Sequence, residues 1–217
     1  SGAVYSRDEL EGLAEVAVEY GIYVLSDEIY EKLVYDGAEH HSIAALNPEI
    51  KALSIVVNGV SKAYSMTGWR IGYTGASAEI IGGMNKVQSQ EVSHPSSMSQ
   101  KAAVEALDGP QQSVEEMRQA FDERRRYMVE RLNAIAGIEC ALPQGAFYAY
   151  PDVTAYYGDR CADSVALCEY LLAEGLVACV PGAGFGTREH IRLSYATSME
   201  LIAKAMDRVE KALGELA

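Results

Sequence analysis

A helical pattern followed at once by a short, wholly apolar run is the feature that most constrains the fold. Ser6 and Glu9 have the spacing of a capping box, and apolar residues then recur every three or four positions until Gly21. Residues 22–25 read IYVL, a run typical of a strand that is covered on both faces in a parallel sheet. Strand-like runs at 53–58 and 70–75 continue the alternation. The sequence therefore predicts an α/β fold.

The second half of the chain predicts a separate, smaller α+β domain. Ser113 and Glu116 have the spacing of a second capping box, and we expect a long helix over about residues 113–136. Further expected elements are a helix over 164–173, strands at 177–180 and 191–196, and a last helix capped by Thr197 and Glu200. We therefore expect the end of a large domain over residues 1–120 and a small domain over residues 121–217.

The charge balance excludes some classes of partner. The formal net charge is -13, whereas binding to a phosphate backbone depends on clustered Lys and Arg, so we expect no nucleic-acid partner. No apolar run reaches the roughly 18 residues of a membrane helix, and residues 1–10 lack the pattern of a signal peptide. We expect no membrane partner and a cytoplasmic location. The run of three arginines at 124–126 is interpreted as a solvated helix face.

The cysteines do not predict a metal site. The chain has four cysteines, and none forms a CxxC pair or a Cys/His pattern with ligand spacing. We expect neither a disulfide framework nor a bound metal.

One lysine lies in an unusual glycine-rich segment. Residues 57–73 read VNGVSKAYSMTGWRIGY. Taken alone, Lys62 would be interpreted as a solvent-exposed charge, because lysine is among the least buried residues. However, the pattern GxSKxxSMxGxRxG resembles, at every defined position, the pyridoxal-phosphate attachment motif of class I (fold-type I) aminotransferases.

This resemblance implies specific roles for three residues. Lys62 is expected to condense with the cofactor aldehyde, and Arg70 is expected to hold the phosphate with its guanidinium fork. Some members of the family carry a phosphate-binding serine three residues before the lysine, where this chain has Gly59. Ser61 is either a substitute for that serine or a turn serine bonded to its own backbone.

A second segment resembles the part of the family that binds the pyridine ring. Residues 24–37 read VLSDEIYEKLVYDG, which could also be an acidic loop after a buried strand. In open α/β sheets ligands bind at the carboxyl ends of strands, where Asp27 is expected. The resemblance implies that Asp27 faces the ring nitrogen and that Tyr30 bonds to the phenolic oxygen of the ring.

A third segment resembles the substrate-binding part of the family. Residues 190–198 read HIRLSYATS. An arginine in a strand is most often an exposed edge charge, but Arg192 matches the family's substrate arginine. The resemblance implies that its planar fork holds the α-carboxylate of an amino acid.

The resemblance extends over the whole chain and is closest to the bacterial aspartate or aspartate/prephenate branch, but it covers only the C-terminal portion of such an enzyme. It implies transfer of an amino group between an aspartate-like amino acid and a 2-oxo acid, a homodimeric full-length protein, and an inactive fragment. Two alternatives remain at this point. One is a pyridoxal-phosphate-dependent lyase of the same fold, and the other is a non-catalytic fragment or effector module.

Overall fold

The computed structural model describes residues 1–216, which fall into two compact units. The N-terminal unit is Val4–Glu116, and the C-terminal unit is Met117–Ala217 together with Ser1–Ala3. Within the described residues, no helix combines the length and the apolar character needed to cross a bilayer.

The N-terminal unit is a small α/β layer. Its three strands lie in the order β1-β2-β3, with β1 parallel to β2 and β3 antiparallel to β2. The strands are β1 (Val24–Asp27), β2 (Ser54–Gly59) and β3 (Gly72–Gly75). The helices are α1 (Arg7–Tyr20), α2 (Pro48–Leu53), α3 (Ala78–Glu91) and α4 (Ser97–Asp108). The predicted alternation of helices and strands is confirmed.

The first helix has the ends that the sequence predicts. The Ser6 hydroxyl accepts the backbone N–H of Glu9, and the Glu9 carboxylate accepts the backbone N–H of Ser6. Gly21 ends the helix with a φ of 63°, a left-handed conformation that glycine adopts at little cost. The buried face of α1 packs in a cluster with Ile43 and Ile50.

The first strand differs from the prediction in position and in burial. It begins at Val24 and ends at Asp27, two residues later than the apolar run at 22–25. The side chain of Leu25 is 67% exposed, and Ile22 and Tyr23 are also exposed. The expectation of a strand covered on both faces is therefore wrong for this unit, because its described elements cover only alternate residues of β1.

The C-terminal unit combines long helices with a small antiparallel sheet. Its strands lie in the order β4-β6-β5, and β6 pairs with both neighbours. The strands are β4 (Tyr148–Ala149), β5 (Val180–Pro181) and β6 (Ile191–Ser194). The helices are α5 (Gln112–Asn133), which begins in the N-terminal unit, α6 (Ser164–Ala173) and α7 (Met199–Gly214).

Two of the predicted helix caps are wrong. Because α5 begins at Gln112, Ser113 lies inside the first turn and is not its N-cap. The N-cap of α7 is Ser198, whose hydroxyl accepts the backbone N–H of Leu201. This cap is one residue later than the predicted Thr197, since both residues have a hydroxyl and the path of the chain decides between them.

The arginine run is not a uniformly solvated face. Arg125 is fully buried, and its Nε donates to Asp122 Oδ1 at 2.8 Å, one turn earlier on α5. Its Nη1 donates to the carbonyl oxygen of Pro143 at 2.6 Å. A buried guanidinium is tolerated because a carboxylate and a backbone carbonyl accept its hydrogen bonds.

Candidate active site

The sheet of the N-terminal unit brings three loops to one edge. β1 ends at Asp27, which is paired with Val57 in the parallel strand β2. β2 ends at Gly59, which is paired with Gly72 at the start of the antiparallel strand β3. The segments after β1, after β2 and before β3 therefore lie at the same edge, the usual place for ligands in open α/β sheets.

Lys62 and Tyr30 meet at this edge. The Lys62 ammonium nitrogen lies over the Tyr30 ring, 5.9 Å from its centroid. Both side chains are partly buried. Each residue starts a turn, with the carbonyl of Lys62 accepting the N–H of Ser65 and that of Tyr30 accepting the N–H of Leu33. An amine and a phenol from different strand ends are thus neighbours.

Asp27 is the last residue of β1, and its carboxylate is exposed. Its Oδ1 accepts the backbone N–H of Ile29 at 3.1 Å. This bond is typical of a turn carboxylate, as in the interpretation of the segment as an acidic loop. It also restrains the direction of the carboxylate at the end of the strand.

Arg70 lies two residues before β3 in a left-handed backbone conformation, with a φ of 52°. Its exposed side chain donates from Nη1 to the carbonyl oxygen of Thr67 at 2.9 Å. Non-glycine residues in this conformation are uncommon and cluster at functional loops. Ser61 is partly buried, two residues after the end of β2.

The geometry at Gly59 leaves little room for a side chain. A Cβ atom on Gly59 would lie 3.0 Å from both the Gly72 Cα and the Ile71 carbonyl oxygen. A serine would therefore press against the backbone of β3. This close approach of β2 and β3 favours glycine at position 59.

A buried carboxylate that the sequence analysis missed lies beside this edge. Glu28 Oε1 accepts hydrogen bonds from the hydroxyls of Ser26 and Ser42, and Oε2 lies 3.2 Å from the Nε2 of His40. Glu28, Glu31 and His40 also place possible metal-ligand atoms within 4.8 Å of one another. Because both oxygens of Glu28 already have partners, the cluster is best described as a support for the turn after β1. The sequence signal is weak, since two of the three partners, His40 and Ser42, lie 12 and 14 positions away.

Arg192 lies in β6 of the C-terminal unit, between two aromatic side chains that the sequence analysis also missed. Its Cζ is 4.3 Å from the Tyr148 ring centroid and 4.4 Å from the Phe185 ring centroid. Its Nε is buried and has no hydrogen-bond partner within residues 1–216. The guanidinium thus has apolar neighbours and an unused donor.

The first residues of the chain lie near this arginine. Ser1–Ala3 belong to the same C-terminal unit as Arg192. The carbonyl of Gly2 accepts N–H bonds from Gln144 and Gly145. Gly2 has a φ of 81°, and a Cβ there would lie 2.3 Å from that of Pro143, so glycine is required.

A family model matches nearly the whole chain. The model described as aminotransferase class I and II matches residues 1–209, and the chain belongs to this family. Enzymes of the family depend on pyridoxal 5'-phosphate.

Individual relatives are bacterial aminotransferases. The chain is 50% identical over 212 residues to an aspartate aminotransferase of Bacillus sp. (strain YM-2), covering 97% of this chain and 54% of that protein. It is 44% identical over 218 residues to a probable aspartate/prephenate aminotransferase of Aquifex aeolicus, covering 100% of this chain and 55% of that protein. The chain thus spans about half the length of these relatives.

A solved structure agrees with both units. The aspartate aminotransferase of Rhizobium meliloti matches with a TM-score of 0.94 and 42% identity, over 99% of this chain and 55% of that one. The predicted fold, the C-terminal half of a pyridoxal-phosphate-dependent transferase with a small α+β domain, is confirmed.

The residues present fit the family's cofactor in chemical type. The N-terminal unit offers an amine at Lys62, a phenol at Tyr30, a carboxylate at Asp27 and a guanidinium at Arg70, all on segments that adjoin one sheet edge. These are the groups needed for an aldehyde, a phenolic oxygen, a ring nitrogen and a phosphate.

Proposed function

We propose that the full-length protein containing this chain is a pyridoxal-phosphate-dependent aminotransferase. It moves an amino group between an amino acid, aspartate or a close analogue, and a 2-oxo acid. The observation that carries this proposal is the contact of Lys62 with Tyr30 at the sheet edge where Asp27 ends the adjacent strand. Two of its relatives are aspartate aminotransferases, which supports the choice of substrate.

Five residues of the N-terminal unit are assigned to the cofactor. When bound, it supplies an aldehyde that condenses with amines and a ring that accepts electrons from the carbon next to the amino group. Lys62 is the attachment point, and Arg70 with Ser61 holds the phosphate through charge-assisted hydrogen bonds. The Asp27 carboxylate keeps a proton on the ring nitrogen, and the Tyr30 hydroxyl bonds to the phenolic oxygen.

Lys62 and Arg192 act on the substrate. The Lys62 Nζ would be the base that takes the proton from the substrate Cα. Arg192 binds the α-carboxylate with two parallel hydrogen bonds, for which its unpartnered Nε is an available donor. Fixing the carboxylate orients the Cα–H bond for proton transfer.

The two units correspond to parts of two domains in this proposal. The N-terminal unit, Val4–Glu116, is the C-terminal part of the large cofactor-binding domain. The C-terminal unit is the small domain, and α5 links the two. The division after Glu116 falls in the same helix as the boundary expected after residue 120.

A cytoplasmic location and a homodimer complete the proposal. All four cysteines are free thiols, which fits a reducing compartment. Burial raises the pKa of the Cys168 thiol to about 11.

Exposed apolar side chains on α3 and α4 are candidates for cover by a partner subunit. They include Val87, Met98 and Val104.

A spectral and kinetic assay of the full-length protein tests this function. Added pyridoxal phosphate is expected to give a protein-bound absorbance, and aspartate with 2-oxoglutarate is expected to give oxaloacetate and glutamate. Lys62→Ala is the matched control and should abolish turnover. Release of ammonia without use of the 2-oxo acid would favour a lyase, and absence of any bound absorbance would contradict cofactor binding.

A further inference from the structure

We propose that Tyr148 and Phe185 are positioning residues that hold the guanidinium of Arg192 in the orientation needed to bind a carboxylate. This inference rests on the proposed function. It assigns a role to two aromatic rings, as packing surfaces for a guanidinium.

The distances support a direct effect on Arg192. Its Cζ lies 4.3 Å and 4.4 Å from the two ring centroids, well inside the roughly 6 Å range of cation–π attraction. A ring that covers a guanidinium leaves the N–H groups free, because these point outward in the plane of the group. The rings thus restrict the plane of Arg192 and leave its donors for an in-plane ligand.

The buried Nε is a donor that a carboxylate ligand can use. It has no hydrogen-bond partner in the described part of the chain, and a buried unpaired donor is unfavourable. A carboxylate can accept from Nε and one terminal nitrogen together. The aromatic contacts hold the donor in place without competing for its hydrogen bonds.

Both rings are held by their own neighbours. Tyr148 belongs to β4 and pairs with Ser194 of β6, so its position relative to Arg192 is set by strand register. Phe185 is about half exposed, yet its ring makes an edge contact with Tyr150, at 6.2 Å and 79°. Tyr150 in turn stacks on His190 with centroids 4.8 Å apart.

The turn that carries Phe185 is also closed by hydrogen bonds. The Tyr150 hydroxyl bonds to the Thr187 hydroxyl, and the N–H of Thr187 donates to the carbonyl of Gly182. The N–H of Gly182 donates to the carbonyl of His190, two residues before Arg192. The turn is therefore tied to the strand that carries the arginine.

The test compares variants of the full-length, cofactor-loaded protein. Its first readout is the dissociation constant of maleate, a dicarboxylate without an amino group to transfer, and its second is the separation of KM from kcat for aspartate. Phe185→Leu and Tyr148→Leu remove a ring, whereas Phe185→Tyr and Tyr148→Phe keep one. Tyr170→Leu is the matched control, since Tyr170 lies over Arg160, with 5.1 Å from the Arg160 Cζ to its ring centroid.

Each leucine variant should weaken maleate binding and raise KM by about tenfold, with a smaller change in kcat. The variants that keep a ring and the Tyr170→Leu control should bind maleate as the wild type does. Phe185 is half exposed, so its leucine variant is suited to the test even if the one at Tyr148 fails to fold.

Wild-type maleate affinity in Phe185→Leu would overturn the inference. So would a loss of maleate affinity in Phe185→Tyr or Tyr170→Leu as large as the loss in Phe185→Leu. These results leave the proposed function intact if the wild type still transaminates. A wild-type protein that neither binds maleate nor transaminates would instead contradict the proposed function.

Discussion

The ammonium nitrogen of Lys62 lies 5.9 Å from the centroid of the Tyr30 ring, joining the turn after β1 to the turn after β2. This contact follows from parallel pairing, which brings the carboxyl ends of both strands to one edge. It places the proposed attachment lysine beside the proposed partner of the cofactor's phenolic oxygen.

Replacing Asp27 with asparagine should reduce turnover far more than cofactor affinity. The proposed role of Asp27 is to keep the ring nitrogen protonated, whereas Arg70 and Lys62 hold the cofactor at other points. Loss of one placed electrostatic group commonly lowers a rate by about 100-fold or more. Steady-state kinetics and a cofactor titration of the full-length variant measure the two effects. Near-normal turnover would mean that Asp27 only caps its turn through Ile29.

Replacing Arg192 with lysine should weaken binding of both the amino acid and the 2-oxo acid, because lysine keeps the charge but loses the planar fork. Loss of such a pair in a desolvated site costs on the order of 2 to 5 kcal/mol. Single-turnover measurements of both half-reactions test this. Loss of cofactor absorbance with unchanged amino-acid affinity per loaded site would identify Arg192 as a structural strand residue.

Removing the Glu28 carboxylate should destabilise the N-terminal unit. Glu28 is buried, and Glu28→Ala leaves the hydroxyls of Ser26 and Ser42 without their shared acceptor. The expected loss is about 2 kcal/mol, measured by denaturant unfolding of the full-length protein. Glu31→Gln is the control, because Glu31 lies in the same cluster but does not accept these bonds. Equal stability of Glu28→Ala and wild type would show that the network contributes little.

Local sequence patterns were sufficient for several elements of the fold. The capping box of Ser6 and Glu9 and the glycine after α1 are contained in adjacent residues, so α1 could be predicted with both ends. The N-cap of α7 could not be predicted, because Thr197 and Ser198 both have a hydroxyl and only the path of the chain selects Ser198. Arg125 was misjudged because the Pro143 carbonyl that accepts its hydrogen bond is remote in sequence.

For the candidate site too, the local motif could be predicted from the sequence, whereas the contacts between distant residues could not. The spacing of Lys62 and Arg70 is local and was visible in the motif, but their assigned roles remain predictions. The contact of Lys62 with Tyr30 depends on strand pairing, and the rings around Arg192 depend on the β4–β6 register and a distant turn. The Glu28 network likewise requires tertiary structure.

The 217-residue chain by itself should not transaminate and should associate in solution. The chain spans 54% of the length of its Bacillus relative, and we expect residues from the other part of such a protein to complete the site. Its exposed Tyr23, Leu25 and Val87 offer apolar surface for association. Sedimentation and an assay with aspartate and 2-oxoglutarate test both points. A monomer that converts aspartate would contradict this prediction.

Attachment of the cofactor to Lys62 can be tested directly with a covalent label. The cofactor-loaded full-length protein is reduced with borohydride, digested, and its peptides are mapped by mass spectrometry. We expect a phosphopyridoxyl group on Lys62 and none in the Lys62→Ala variant. A label on another lysine, such as Lys86 or Lys101, would contradict it.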